Sequence, residues 1–401
     1  MNTKKQHEIV DKILYVFISL FFLYAFWYQY TVSVVGGALI GLGIIIFFLS
    51  FLNIRISLKF YGQLISIVVF WIFVSTIGVI ASPVPRVAIS HCIDILKYMI
   101  PMIGIYTYVN TDIIKLIYVL RMILFTTFLV ALSAIFNGNL TNTGAIIPGT
   151  MNANVESSLL MMGAISALII WGYGSTKIFE KIAIIIILIV CAMAQLLCAS
   201  RRGLVVFVFI VCSGIYIIIK NKYNNKLYKY CLYIIGILCA CCFVYFIYDF
   251  VVESVFLERL MNTNNEGDRV RNVLQAQAGK LFLESPIWGK GLGYVSYLMG
   301  LYSHSLYYEL LACTGIIGTS LILTFLIKRF FVFWKVGTKK YENEVNMLTV
   351  SKIMSIFILV ILLSGLYVVY IYDAYFYVIL GLICSYSRII SYKGYNKRRK
   401  L

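Results

Sequence analysis

The chain has 401 residues and a formal net charge of +18, yet 62% of it is hydrophobic and only 12% is charged, with a mean hydropathy of +0.92. A soluble domain of this length needs far more charge to cover its surface, so that class is excluded. The basic excess sits in short stretches between apolar runs, which is the topology signal of a multi-pass membrane protein rather than a nucleic-acid footprint. The expected partner is therefore a lipid bilayer and not nucleic acid.

Apolar runs of about 20 residues, each long enough to cross a bilayer, recur along the sequence. They predict spans over 13–30, 32–54, 60–81, 92–109, 113–136, 153–173, 182–199, 203–220, 230–249, 305–327, 348–367 and 374–390. The expected fold class is an all-α polytopic membrane protein, a single membrane domain over residues 1–401 with about twelve helices. The run Ile13 to Tyr30 is too long for a signal-peptide core and ends in Trp-Tyr-Gln-Tyr, so it reads as a retained helix. Lys4, Lys5 and Lys12 place the start of the chain in the cytoplasm. Arg55 and Lys59, Lys177 and Lys181, Lys220 to Lys229, Lys328 to Lys340 and the tail from Lys393 to Lys400 then fall on the same side, with both termini cytoplasmic. The ten cysteines lie mostly inside apolar runs without CxxC or Cys/His spacing, and read as small apolar filler. No Walker A or HExxH motif is present, which argues against an ATP-driven pump or a membrane zinc protease.

One segment breaks the rhythm. Residues 250–303, Phe250 to Ser303, are too polar to span and too long for a plain connector, and form a long extracytoplasmic loop between spans nine and ten. Within it, Asn262 to Asp268 reads as loop and Arg269 to Glu284 as an amphipathic helix. The turn Ser285-Pro286-Ile287-Trp288-Gly289-Lys290-Gly291-Leu292-Gly293 follows.

Positive charge on the outer face opposes the topology rule and is therefore informative. Arg201 and Arg202 stand where span seven meets span eight. Two readings are open for them: recognition of a phosphate-like anion, for which guanidinium is the suited group, or contact with lipid head groups. Arg269 and Arg271 open the amphipathic helix and either add to the same positive basin or line a solvated face. His304, one of three histidines, lies at the junction of the loop and span ten. The positive end of a helix dipole there favours the neutral imidazole that a general base requires. Glu309 lies inside span ten, about 140° round the helix from His304. A carboxylate in a span needs a partner, so Glu309 is expected to pair with an outer arginine or to face a water-filled vestibule. Tyr307 and Tyr308 either snorkel or stack on sugar rings.

Three stretches together resemble a known family. They are Glu284 to Gly293, then His304-Ser305-Leu306-Tyr307-Tyr308-Glu309-Leu310-Leu311, then Thr314-Gly315-Ile316-Ile317-Gly318. They are similar to the bacterial O-antigen polymerase and O-antigen ligase family, which shows an Asn-Pro turn with alternating glycines, a His-Asn pair and a Gly-x-x-Gly helix. Ser200-Arg201-Arg202-Gly203, Gly267-Asp268-Arg269 and Met151-Asn152-Ala153-Asn154 fit further motifs of that family, and the likeness covers roughly residues 140–320. Ser285 and Ser305 replace Asn, and Cys313 stands where many relatives carry Glu.

The resemblance implies a GT-C-like glycosyltransferase of the bacterial plasma membrane with its active site on the extracytoplasmic face. It implies an undecaprenyl-diphosphate-linked oligosaccharide as donor and acceptor, no cofactor and no metal, and a chain-length regulator and a flippase as candidate partners. In that chemistry His304 is the base for the acceptor hydroxyl. Arg201, Arg202, Arg269 and Arg271 hold the diphosphate, while Glu309 and Tyr308 complete the substrate site. A polymerase of oligosaccharide repeat units is the expected activity. A ligase with another acceptor, and a lipid-linked oligosaccharide flippase, are the alternatives. A flippase would show helices broken at Gly or Pro and charge near mid-membrane.

Overall fold

The computed structural model describes residues 3–28, 37–52, 62–140, 146–148, 152–174, 177–198, 200–222, 266–338 and 345–399. The expected span over 230–249 and the loop residues 250–265 lie outside them. Apart from a short hairpin, the regular secondary structure of the described residues is helical. In order it forms α1 (Thr3–Phe22), which runs into a π-helical turn (Leu23–Tyr28), α2 (Gly37–Leu52), α3 (Ile65–Ser75), α4 (Ile77–Ile80), α5 (Pro85–Val109) and α6 (Ile113–Asn137). Then come β1 (Gly138–Leu140) and β2 (Ile146–Pro148), α7 (Ala153–Tyr173), α8 (Ile178–Leu197), α9 (Arg201–Lys222), α10 (Glu266–Glu284), α11 (Tyr294–Met299), α12 (Leu306–Gly337), α13 (Val345–Ser364) and α14 (Ala374–Arg399).

Nine helices among the described residues are long and apolar enough to cross a membrane. This is the architecture of an all-α, multi-pass membrane protein. α8 shows why. Ile178, Ile182, Ile185, Ile186, Ile189 and Met193 form an exposed apolar stripe, while Ile184, Leu188, Cys191 and Ala194 face inward. Apolar residues on both faces suit a helix between protein and lipid, and would leave a large bare patch in water. α7 is the opposite case, with 89% of its apolar window buried against 28% for α8. It packs against α6, α8, α9 and α13 and forms the centre of the bundle. Asn152 caps it, accepting a bond from the Asn154 N–H at 2.8 Å, and Gly174 ends it at φ 86°. Buried hydroxyls such as Thr107, Thr126, Thr314 and Ser364 donate back to carbonyls of their own helices. That is how a polar side chain is satisfied where water is absent.

Several expected boundaries move. The expected span 60–81 breaks at Thr76 (φ −108°, ψ −81°) into α3 and α4, and α2 has only 16 residues. α5 starts at Pro85, whose missing N–H and fixed φ suit a first helical turn. Arg86, expected in the short outer loop Pro83 to Arg86, therefore stands on the helix, and His91, expected at the outer end of a span, lies in its second turn. α12 continues for 32 residues, past Lys328, Arg329 and Lys335, which were expected in a cytoplasmic connector. Long basic side chains extend toward the head groups and allow the helix to go on beneath them.

The glycine-rich turn has a specific seat. Gly315 interrupts α12 at φ 60°, ψ −167°, which frees backbone groups on either side. The Lys290 N–H donates to the Ala312 carbonyl and the Gly291 N–H to the Cys313 carbonyl, each at 2.9 Å, and the Ile316 N–H donates to the Pro286 carbonyl at 2.9 Å. The turn fills the gap in the helix ladder, as buried backbone requires. A Cβ at Gly289 would strike the backbone of Cys313 and Thr314, and one at Gly315 the backbone of Ile287 and Trp288. Gly300 also has positive φ, 73°, with nothing near its missing Cβ. Gly300→Ala is expected to lose about 1–2 kcal/mol, the left-handed penalty alone. Gly315→Ala adds a backbone clash, so its thermal unfolding in detergent should begin at a clearly lower temperature than that of Gly300→Ala. Equal midpoints would contradict this account of the turn.

Candidate functional site

The approach to His304 is built around Glu309. Its side chain has no exposed surface, and its partners are not the expected arginine or open water. Oε2 accepts the Ser303 N–H at 2.9 Å, and Oε1 accepts the Tyr372 hydroxyl at 3.0 Å and the Cys313 thiol at 3.6 Å. The Tyr372 oxygen in turn accepts the Gly293 N–H at 3.0 Å, and its ring lies 4.8 Å from that of His91. A Cβ at Gly293 would run into the His91 imidazole. One carboxylate thus ties together the segment before His304, the end of the glycine-rich turn and the segment 365–373 between α13 and α14. The Cys313 position, unusual for the resembled family, is filled by a donor to the same carboxylate.

The segment 365–373 also holds the start of α12. The Leu306 N–H, an orphan donor of the first helical turn, reaches the Gly365 and Val368 carbonyls at 2.8 and 3.1 Å. The N-cap is Ser305 rather than His304, and its hydroxyl donates to the Gly365 carbonyl at 3.4 Å. His304 precedes the cap in the left-handed region, φ 57°, a conformation that non-glycine residues adopt uncommonly and that clusters at functional positions.

The His304 ring is half-buried, 4.7 Å from the Tyr302 ring, and its Nδ1 is buried without a hydrogen-bond partner. Burial, with the Arg271 charge second, pushes the imidazole down to about 4, so it is neutral at pH 7. The Tyr302 hydroxyl is pushed up by burial and then by Asp373, with Arg271 opposing. Burial also raises Asp373, to about 7. The His304 and Tyr302 rings are thus in contact, the Arg271 charge acts on both, and the Asp373 carboxyl acts on Tyr302.

The sequence-derived residues divide accordingly. Arg271 joins the site through its charge on His304 and Tyr302. Arg269 points away on the exposed side of α10, and Tyr308 is 41% exposed with its ring edge beside Gly279. Arg202 opens α9 and lies over the Tyr367 ring at 5.4 Å, so it meets the assembly through segment 365–373. The Arg201 backbone starts the same helix; its side chain is outside the described residues. Sequence reasoning missed Tyr367, Tyr372 and Asp373. Three tyrosines and an aspartate within Gly365 to Asp373, between two apolar runs, were the available signal. A second signal was register: Arg271 falls on the i, i+3, i+7, i+10 stripe of Leu274, Ala278 and Leu281 that α10 buries.

Tyr372→Phe removes one donor from Glu309 and leaves the Gly293 N–H without its acceptor. An unmet buried polar group costs about 1–3 kcal/mol. The expected result is a lower unfolding midpoint together with faster amide exchange at Ser303 and Gly293. Unchanged exchange at Ser303 would contradict the clamp.

No protein-family model matches the chain, and comparison with curated proteins finds no match. The chain is established as a helical protein with the apolar helices of a multi-pass membrane protein.

Proposed function

We propose that the chain is a membrane glycosyltransferase that joins undecaprenyl-diphosphate-linked oligosaccharide repeat units into a surface polysaccharide. The observation that carries this reading is the His304 imidazole, whose buried Nδ1 has no hydrogen-bond partner and whose proton affinity is lowered by burial and by Arg271, at the start of a membrane helix. Transfer from a lipid diphosphate has a leaving group that is already a stable anion. The reaction then needs cations for that anion and a base for the acceptor hydroxyl. His304, whose Nδ1 is committed to no structural bond, takes the acceptor proton, a contribution of about 10²–10⁴-fold in comparable reactions. Arg271 beside His304, with Arg202 over the Tyr367 ring, stabilises the departing diphosphate. Tyr302 offers a ring face to a sugar. A diphosphate bound beside His304 also raises the imidazole's proton affinity toward the working pH. Glu309 and Tyr372 position His304 rather than touch substrate.

One observation favours the flippase alternative: α12 is broken at Gly315, and broken helices are a transporter feature. In transporters the freed backbone groups bind cargo or ions. Here the Ala312 and Cys313 carbonyls and the Ile316 N–H are taken by the glycine-rich turn, which favours the enzyme reading.

In cells, His304→Ala that still reaches the membrane is expected to lose the long-chain polysaccharide ladder while single lipid-linked repeats remain displayed outside. Repeats trapped inside would indicate the flippase, and an unchanged ladder would remove His304 from the mechanism. The pH profile gives an independent check. kcat/KM reports the free enzyme, so its acid limb is expected near pH 4 rather than at the ordinary imidazole value of 6.5. Arg271→Gln removes a charge that disfavours the protonated ring, so the limb should move upward. A wild-type limb at 6.5 would contradict a base held neutral by its surroundings.

A further inference from the structure

A second buried polar site lies where α7, α8 and the start of α9 meet. Glu156, in the first turn of α7, has no exposed surface, and neither of its carboxylate oxygens has a hydrogen-bond partner. Gln195 of α8 is equally buried. Its Nε2 donates to the Ser157 hydroxyl at 2.9 Å and to the Cys198 sulfur at 3.5 Å, and its Oε1 is left without a donor. The backbones close tightly around this point, since a Cβ at Gly203 would strike Ser157 Oγ, Gln195 Nε2 and Ser200 Oγ. Glu156 is near enough to Cys198 that its charge adds to burial in pushing that thiol up. Three buried oxygens that only accept, with no donor facing them, are a costly arrangement inside a membrane bundle.

We propose that Glu156, Gln195 and Ser157 form a buried site for a small monovalent cation, liganded by the Glu156 carboxylate, Gln195 Oε1 and Ser157 Oγ. All the ligands are oxygens, which suits a hard cation. The charge count selects a monovalent one. The site has a single carboxylate, and the neighbouring thiol is held protonated by burial. Among the described residues no three His, Cys, Asp or Glu side chains converge to balance a divalent ion. The proposal is independent of the glycosyl-transfer reading.

The test uses the full chain purified in detergent, with sodium as the probe. Radiolabelled sodium binding is measured alongside the unfolding midpoint in sodium chloride and in choline chloride of equal ionic strength. The expected result is saturable binding of one sodium per chain, with a midpoint that rises with sodium concentration. Glu156→Gln should lose both effects, and Ser157→Ala, which loses one neutral ligand, should bind sodium about tenfold more weakly. Absence of saturable binding in the wild-type chain overturns the proposal, and an infrared band of a protonated carboxyl that disappears in Glu156→Gln would show that the oxygens hold a proton instead. Sodium binding retained in Glu156→Gln overturns it equally. If that variant does not fold, unchanged affinity in Ser157→Ala decides against the site.

Discussion

A carboxylate buried in the first turns of a membrane helix needs a partner, and the bonds of Glu309 determine how the chain approaches His304. The carboxylate accepts from three donors: the backbone N–H of Ser303 immediately before the histidine, the hydroxyl of Tyr372 from the segment 365–373, and the thiol of Cys313 from its own helix. Without that anchor, Ser303 and the glycine-rich turn would lose their common attachment to α12. The left-handed backbone of His304 is held from both sides, by Glu309 before it and by the Leu306 N–H on the Gly365 and Val368 carbonyls after it. Strain of about 1–3 kcal/mol at one residue persists only when its surroundings over-determine it, as they do here.

The same logic links the glycines to the site. A helix broken at Gly315 exposes backbone groups that lipid cannot satisfy, and the turn from Ser285 to Gly293 supplies their partners. Its last glycine then hands its N–H to Tyr372. The motif is therefore a structural splice that ends in the clamp. The candidate site around His304 depends on it without containing it. The arginines arrive on other elements, Arg271 on α10 and Arg202 at the start of α9. Guanidinium groups on separate helices can flank an extended anion without moving.

Much of the helical frame was legible in the sequence, because apolar length and charge placement carry it. α6, α7 and α13 fall within a few residues of the expected spans. The failures have physical causes. A span is read from a charge-free window, so α12 was cut short at Lys328 although basic side chains extend beyond an apolar helix. The hairpin of β1 and β2 is too short to leave a period of two. The site was half legible: His304 stood out by residue type and place, and α10 by its amphipathic pattern. Its supports did not, since Tyr372 is 63 residues from Glu309 and 79 from Gly293, and no local pattern reports such pairings. A carboxylate in a span suggests an outer arginine or a water-filled vestibule for Glu309. A tyrosine, a thiol and an amide satisfy it instead.

The central claim is that His304 is the working base of glycosyl transfer. The most direct measurement reconstitutes the purified chain in vesicles with undecaprenyl-diphosphate-linked oligosaccharide and follows product length by mass spectrometry, for wild type and His304→Gln. The account predicts lipid-linked chains of several repeats with the wild-type chain, and a rate lower by about 10²–10⁴-fold with folded His304→Gln that still binds donor. Elongation by His304→Gln at the wild-type rate, or none by the folded wild-type chain with its substrate present, would contradict it.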